Sequence, residues 1–224
     1  MAHFTCLAAA RAAVLKSHGW DANENGLFGV PEIRVLTSEH RHGSIDRAVR
    51  YLGMGNRSLE TIPTNDHGQI TGTALKTALK KNHGPTILVL DAADLNIAAF
   101  DPFSNLIPIA RETGTWVHVD GAFGLFARAS RAKKYLTEGI EKADSWAADA
   151  HKWLNVPFDC GIAIVKDRAA HREAMPTVLA PLKGTAPVYQ SGSAAAGRLI
   201  RTVKMGIKRL LPNEFFGKSK TTML

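Results

Sequence analysis

The segments WVHVDGAF at 116–123 and ADAHKWLNVPFDCG at 148–161 decide how this chain is read. In the first, an apolar run rich in β-branched residues ends on Asp120. In the second, the run that begins at Ser145 ends before Asp149 and the pair His151-Lys152. Similar strand-like runs occur at Ile33 to Thr37, Thr86 to Leu90 and Gly161 to Val165. Helix-like runs at 44–53, 71–82, 103–113 and 128–138 lie between most of them. Strand alternating with helix predicts an α/β fold, a mostly parallel sheet with right-handed crossovers and helices on both faces. In such sheets ligands sit beyond the carboxyl ends of the strands, where Asp120 and the 149–152 segment fall. Ser44 is the expected cap of SIDRAVRYL, which Gly53 stops, and Ser104 opens a helix that Gly114 ends.

Composition bounds the function classes. A chain of 224 residues that is 45% hydrophobic and 21% charged can bury a sizeable core, which excludes a disordered chain. The apolar stretch LAAARAAVL is interrupted by Arg11 and is far shorter than the roughly 20 residues of a membrane span. Cys6 and Cys160 are the only cysteines, so no disulfide framework is expected and a reducing, cytoplasmic compartment is the better reading. The first twenty residues resemble a transit peptide in having Arg11, Lys16 and Ser17 and few acids. Phe4, Leu7, Ala8 and Leu15 instead fit a plain amphipathic helix. Most of the formal net charge of +8 sits beyond Ser191, where Arg198, Arg201, Lys204, Lys208, Arg209, Lys218 and Lys220 face Glu214 alone. A terminal cluster of this kind, with no zinc-finger or RNP-type motif beside it, reads as a solvated tail and not as a nucleic-acid surface.

Asp120 and Lys152 together supply what a pyridoxal 5'-phosphate (PLP) site needs. A carboxylate keeps the pyridine nitrogen protonated, and an amine forms a Schiff base with the aldehyde. Gly121 and Ala122 are small enough to let a flat ring approach the backbone.

Three separated motifs, TSEHRHGSIDRAVRYLG, AAFDPFSNLIPIARETGTWVHVDGAFGLFA and ADSWAADAHKWLNVPFDCGIAIVKD, occur in order and in register. In these the chain resembles the group II PLP-dependent amino-acid decarboxylases, relatives of aromatic-L-amino-acid, glutamate and histidine decarboxylases. The match runs from about Met1 to Met175. The resemblance implies a type I PLP-dependent transferase-like large domain and a carboxy-lyase acting on an L-amino acid through Lys152, in a homodimer. It implies that Asp120 partners the pyridinium nitrogen, His42 stacks on one face of the ring and Ala122 packs the other. His151 is expected near the phosphate or the substrate. Tyr189 is a weak candidate for the proton donor.

Other readings compete. His40, His42, His118 and Asp120 contain the elements of a metal-dependent hydrolase, although that reading leaves the His151-Lys152-Trp153 run unexplained. Trp146, Trp153 and Phe158 are expected to be core residues, and Asp167 a helix cap. The resemblance also implies a chain truncated at both ends. Residues 1–180 would be the PLP-binding core, incomplete at its N-terminus, and 181–224 a divergent basic tail left from a small C-terminal domain. A catalytically inactive fragment is therefore an alternative. Relatives usually carry glycine at one or both of the positions held by Ala93 and Ala98, and a neutral polar residue where Asp94 stands. A second carboxylate there would oppose an anionic cofactor. His3 stands where asparagine is frequent.

Overall fold

The computed structural model describes residues 1–81 and 84–175. Six strands form one sheet: β1 (Arg34–Ser38), β2 (Leu59–Ile62), β3 (Thr86–Asp91), β4 (Trp116–Asp120), β5 (Ser145–Asp149) and β6 (Gly161–Val165). Their spatial order is β2-β1-β3-β4-β5-β6. Every neighbouring pair is parallel except β5 with β6, which is antiparallel. The helices are α1 (Ala2–Ser17), α2 (Ala22–Asn25), α3 (Gly43–Tyr51), α4 (Gly72–Leu79), α5 (Phe103–Arg111), α6 (Ala150–Trp153) and α7 (Arg168–Ala174).

The sheet is covered on both faces, which is why β3 reads TILVLD and is buried throughout. On one face Leu88, Leu90, Val117 and Val119 pack with Leu75 of α4 and Phe103 and Leu106 of α5. On the other, Val35, Ile87 and Val89 pack with Leu7 and Val14 of α1, Ile45 and Val49 of α3, and Ala170 of α7. Side chains alternate across a strand, so Trp116, His118 and Asp120 share the α1 face with Ser145 and Asp149. The N-terminal segment is a helix with Leu7, Ala8 and Leu15 buried, but it is not amphipathic, since burial runs through the consecutive positions Cys6 to Ala10 and so round more than one face.

Several expectations are corrected. The 128–138 segment forms no α-helix but two short 3₁₀ segments, Leu125–Ala129 and Lys134–Thr137. Residues 131–135 are exposed and offer no apolar stripe to bury, so nothing repays the cost of helix nucleation. Strand β2 escaped the sequence reading because it is a four-residue edge strand with one fully buried side chain, Ile62. His42, not Ser44, caps α3: its Nδ1 accepts from the Ser44 backbone N–H at 3.3 Å. Pro102, not Ser104, precedes α5. Asp167 does cap α7, accepting from the Ala169 N–H at 2.7 Å. No helix among the described residues is long and apolar enough to cross a membrane. Tyr189, the 180 boundary and the basic tail lie outside the described residues.

Candidate active site

Parallel packing of β3, β4 and β5 brings three strand ends to one edge, each closing on an aspartate: Asp91, Asp120 and Asp149. Asp91 and Asp120 are direct partners across β3 and β4. Beside them lies a small cavity with room for about 10 Å3 of water, part of the surrounding hollow being open to solvent. His42, Asp120, Ala122 and Lys152 all line it, together with Asp91, Asp94 and Phe123. His151 does not.

Lys152 sits on the single turn α6 that follows β5. Its Nζ is 3.0 Å from Asp149 Oδ2 and 3.9 Å from the centroid of the Phe123 ring. A carboxylate on one side and an aromatic face on the other hold the amine at the mouth of the cavity. His151 turns toward the backbone instead. Its Nδ1 is 3.2 Å from the Cys160 amide, whose N–H donates to it, and its ring meets Phe158 edge-on at 4.7 Å between centroids. It thereby braces the 150–160 loop.

Asp120 is 7% exposed and accepts from the Ala122 backbone N–H at 3.1 Å through Oδ1. His3 Nε2 stands 3.4 Å from Oδ2. Asp91 is a different carboxyl. Burial, with Asp120 and Asp101 adding like charge, pushes it from 3.8 up to about 8, and the Ser38 hydroxyl that donates to it at 2.9 Å opposes this only in part. Asp91 therefore carries a proton at neutral pH. Asp101, also raised by burial, to about 6, fastens the β3 end by accepting from the backbone N–H groups of Ile70 and Asp91.

The small residues divide their work. Ala122 lines the cavity, but Gly121 does not serve ring approach: a Cβ there would lie 2.7 Å from Leu125 Cβ and 3.0 Å from the Ala147 carbonyl oxygen. Gly121 is small because the chain turns back against β5. Ala93 and Ala98 adopt φ of 61° and 56°, the left-handed region that favours glycine. Asp94 closes the loop between them, accepting from the amides of Asn96, Ile97 and Ala99.

Three expectations fail on contact geometry. Trp146 is buried, but Trp153 and Phe158 are 65% and 84% exposed, so they fill no core. The hydrolase grouping does not converge. His118 is wholly buried against His3 and Ser145, while His42 is engaged with Ser44. Among the described residues no three His, Cys, Asp or Glu side chains are placed to hold a metal ion. Sequence reasoning missed Asp91, although LVLD closes its strand as VHVD closes the next. It also missed Phe123 and the contact of His3, for which the local sequence carries no signal.

An open α/β sheet with an amine, an imidazole and a carboxylate around one cavity at its carboxyl edge has the plan of a cofactor-dependent enzyme core. The model of the pyridoxal-dependent decarboxylase conserved domain matches residues 1–190, and the chain belongs to that family. It is 32% identical over 171 residues to the aromatic-L-amino-acid decarboxylase of Bacillus atrophaeus, covering 75% of this chain and 33% of that protein. It is 30% identical over 156 residues to the acidic amino acid decarboxylase GADL1 of Mus musculus, covering 68% and 28%. Among solved structures, that of Oryza sativa TDC with PLP and tryptamine aligns with a TM-score of 0.66 and 27% identity, over 77% of this chain and 36% of that one. Mouse CSAD in its apo form shares the fold, with a TM-score of 0.68, 24% identity and coverage of 77% and 37%. The chain thus spans about a third of the length of these relatives.

Proposed function

We propose that this chain carries the PLP-binding core of a carboxy-lyase that decarboxylates an L-amino acid, with Lys152, Asp120, His42 and Ala122 as its cofactor-binding set. The observation that carries the reading is that one cavity is lined by all four. The donor chemistry fits the ring of PLP: an amine for the aldehyde, a carboxylate for the pyridine nitrogen, an imidazole and a methyl group for the two faces. When bound, PLP supplies an electrophilic aldehyde and a ring that takes up the electron pair of the breaking Cα–carboxylate bond. Lys152 would hold the aldehyde end, and Asp149, 3.0 Å away, is placed to take and return a proton of that amine. Asp120, buried and anchored by the Ala122 N–H, presents its charge where desolvation makes it strongest. His42, tied to α3 through Ser44, offers a flat ring worth about 1 kcal/mol of stacking.

Residue 1–180 core, homodimer and cytoplasmic placement belong to the same proposal. The buried Cys6 thiol, pushed by desolvation to about 12, and the unpaired Cys160 fit a reducing compartment. Leu95, Ile97 and Phe158, exposed on loops, and Trp153, exposed at the end of α6, fit a second copy over the carboxyl edge of the sheet. A second reading, a core that binds the cofactor too weakly to turn over, is favoured by Asp94, a further carboxyl group that lines the cavity beside Asp120.

Borohydride reduction after incubation with PLP separates the two. Peptide mapping is expected to place the reduced cofactor adduct on Lys152, and Lys152→Ala to remove it. An adduct that persists in that variant overturns the lysine assignment. Release of CO2 from an L-amino acid by the labelled wild type's unreduced counterpart supports the carboxy-lyase; an adduct without release supports the weak core.

A further inference from the structure

The α1 face of the sheet carries a continuous polar string through otherwise apolar packing. The Trp116 indole N–H donates to Ser145 Oγ at 3.0 Å, and Ser145 Oγ is 2.9 Å from His118 Nδ1. His118 Nε2 is 3.0 Å from His3 Nδ1, and His3 Nε2 is 3.4 Å from Asp120 Oδ2. His118 and Ser145 are wholly buried, and the His3 side chain is 12% exposed. His3 and His118 meet edge to face, at 89° between ring planes.

With both rings neutral, the carboxylate end fixes the direction of every proton along the string. An indole N–H can only donate and a carboxylate can only accept. The Ser145 oxygen, which accepts from Trp116, could accept a second bond, so it is the other end that decides: a neutral His3 facing the carboxylate requires Ser145 to donate to His118 Nδ1. His118 then carries its proton on Nε2 and donates to His3 Nδ1. His3 carries its proton on Nε2, facing Asp120. Each ring is neutral and each nitrogen has one role. Reversing either ring sets two hydrogens or two lone pairs against each other at about 3 Å, inside low-dielectric packing where that is costly. Burial lowers the proton affinity of both rings. In His3 it outweighs Asp120 and Asp149, which act the other way, and the chain's amino group and His42 reinforce it.

We infer that His3 is a positioning residue for Asp120: a neutral imidazole, locked in one tautomer by His118, Ser145 and Trp116, that orients the carboxylate without neutralising it. Resting on the reading of Asp120 as partner of the pyridine nitrogen, it deepens that reading. Oδ1 is taken by the Ala122 amide and Oδ2 is faced by His3, so the carboxylate cannot rotate freely. A cationic histidine would cancel the charge that the ring nitrogen needs, whereas a neutral donor leaves it in place.

Nitrogen-15 NMR of the full chain labelled in histidine, without PLP, tests the tautomers. His3 and His118 are both expected to be protonated on Nε2 and bare on Nδ1 at pH 7. A doubly protonated His3, or either ring carrying its proton on Nδ1, overturns the inference. PLP titration followed by absorbance tests the consequence. His3→Ala is expected to weaken binding about tenfold, and His3→Asn, which can still donate and accept, to recover most of it. In an Asp120→Ala background His3→Ala is expected to have no further effect, and an additive loss overturns the positioning role. If Asp120→Ala alone leaves PLP affinity unchanged while the tautomers are as expected, the pyridine-partner reading fails and the hydrogen-bond string stands.

Discussion

The two faces of the sheet are built to different rules. Against α4 and α5, β3 and β4 present Leu88, Leu90, Val117 and Val119, an unbroken apolar layer. Against α1, the same two strands present Ile87 and Val89 beside Trp116, His118, Asp91 and Asp120. The apolar layer is tolerant of detail, since dispersion and water exclusion carry no direction. In the mixed layer Trp116, Ser145, His118, His3 and Asp120 are each matched to a particular partner, and an unmatched one would cost more than a methyl group lost. Folding stability is drawn from the first face and chemistry from the second, which the strand ends deliver to the cavity.

The sharpest break in this contrast is Leu88→Ala. Leu88 is wholly buried in the α4/α5 layer, and the truncation is expected to cost about 3 to 4 kcal/mol in urea unfolding. Affinity of the folded variant for PLP should stay within about twofold, because the change is distant from the cavity edge. A large loss of affinity would mean that the faces are not independent.

Next in size is the alkaline limb of stability. Asp91, normally near 3.8 and raised to about 8 by burial, binds a proton in the folded chain over a range where the unfolded chain has released it. Its contribution is fully present below pH 4 and is lost as pH rises through about 8. Asp91→Asn is expected to remove that limb and to be more stable than wild type at pH 9, on the order of 2 to 4 kcal/mol. The acid limb runs the other way. His3 and His118 resist protonation when folded, so stability falls as pH drops below 6.5, where their unfolded forms charge. That limb should survive in Asp91→Asn. Denaturant midpoints from pH 5 to 9 measure both.

The smallest effect concerns the loop at the cavity rim. Ala98→Gly is expected to stabilise by up to about 1 kcal/mol, because glycine accepts φ of 56° without a Cβ clash. No gain in thermal unfolding would mean that the loop relaxes its backbone at no cost.

Five of six strands were legible because each is a short run, β-branched in all but β5, closed by a turn or a charge, a pattern within a few residues. Strand β2 was not, since half-exposed LETI has too little apolar signal. The 128–138 segment misled for the opposite reason: its alanines and lysines favour helix locally, yet no sheet face was left for it to bury. Lys152, Asp120, His42 and Ala122 could be named from motifs at separated positions. Their shared cavity could not, and neither could the use of His151 as a loop brace or the exposure of Trp153 and Phe158.

The order of apolar runs and the acidic strand ends are local properties, and the linear chain alone determined them. Only the tertiary structure decided that β3 lies beside β4 and that α1 crosses their shared face. That packing sets Asp91 against Asp120 and brings His3 to His118, 115 residues further along the chain. Such adjacency depends on the sheet order and on which helix covers which face, and those follow from burying the whole core at once, which no short stretch of sequence encodes.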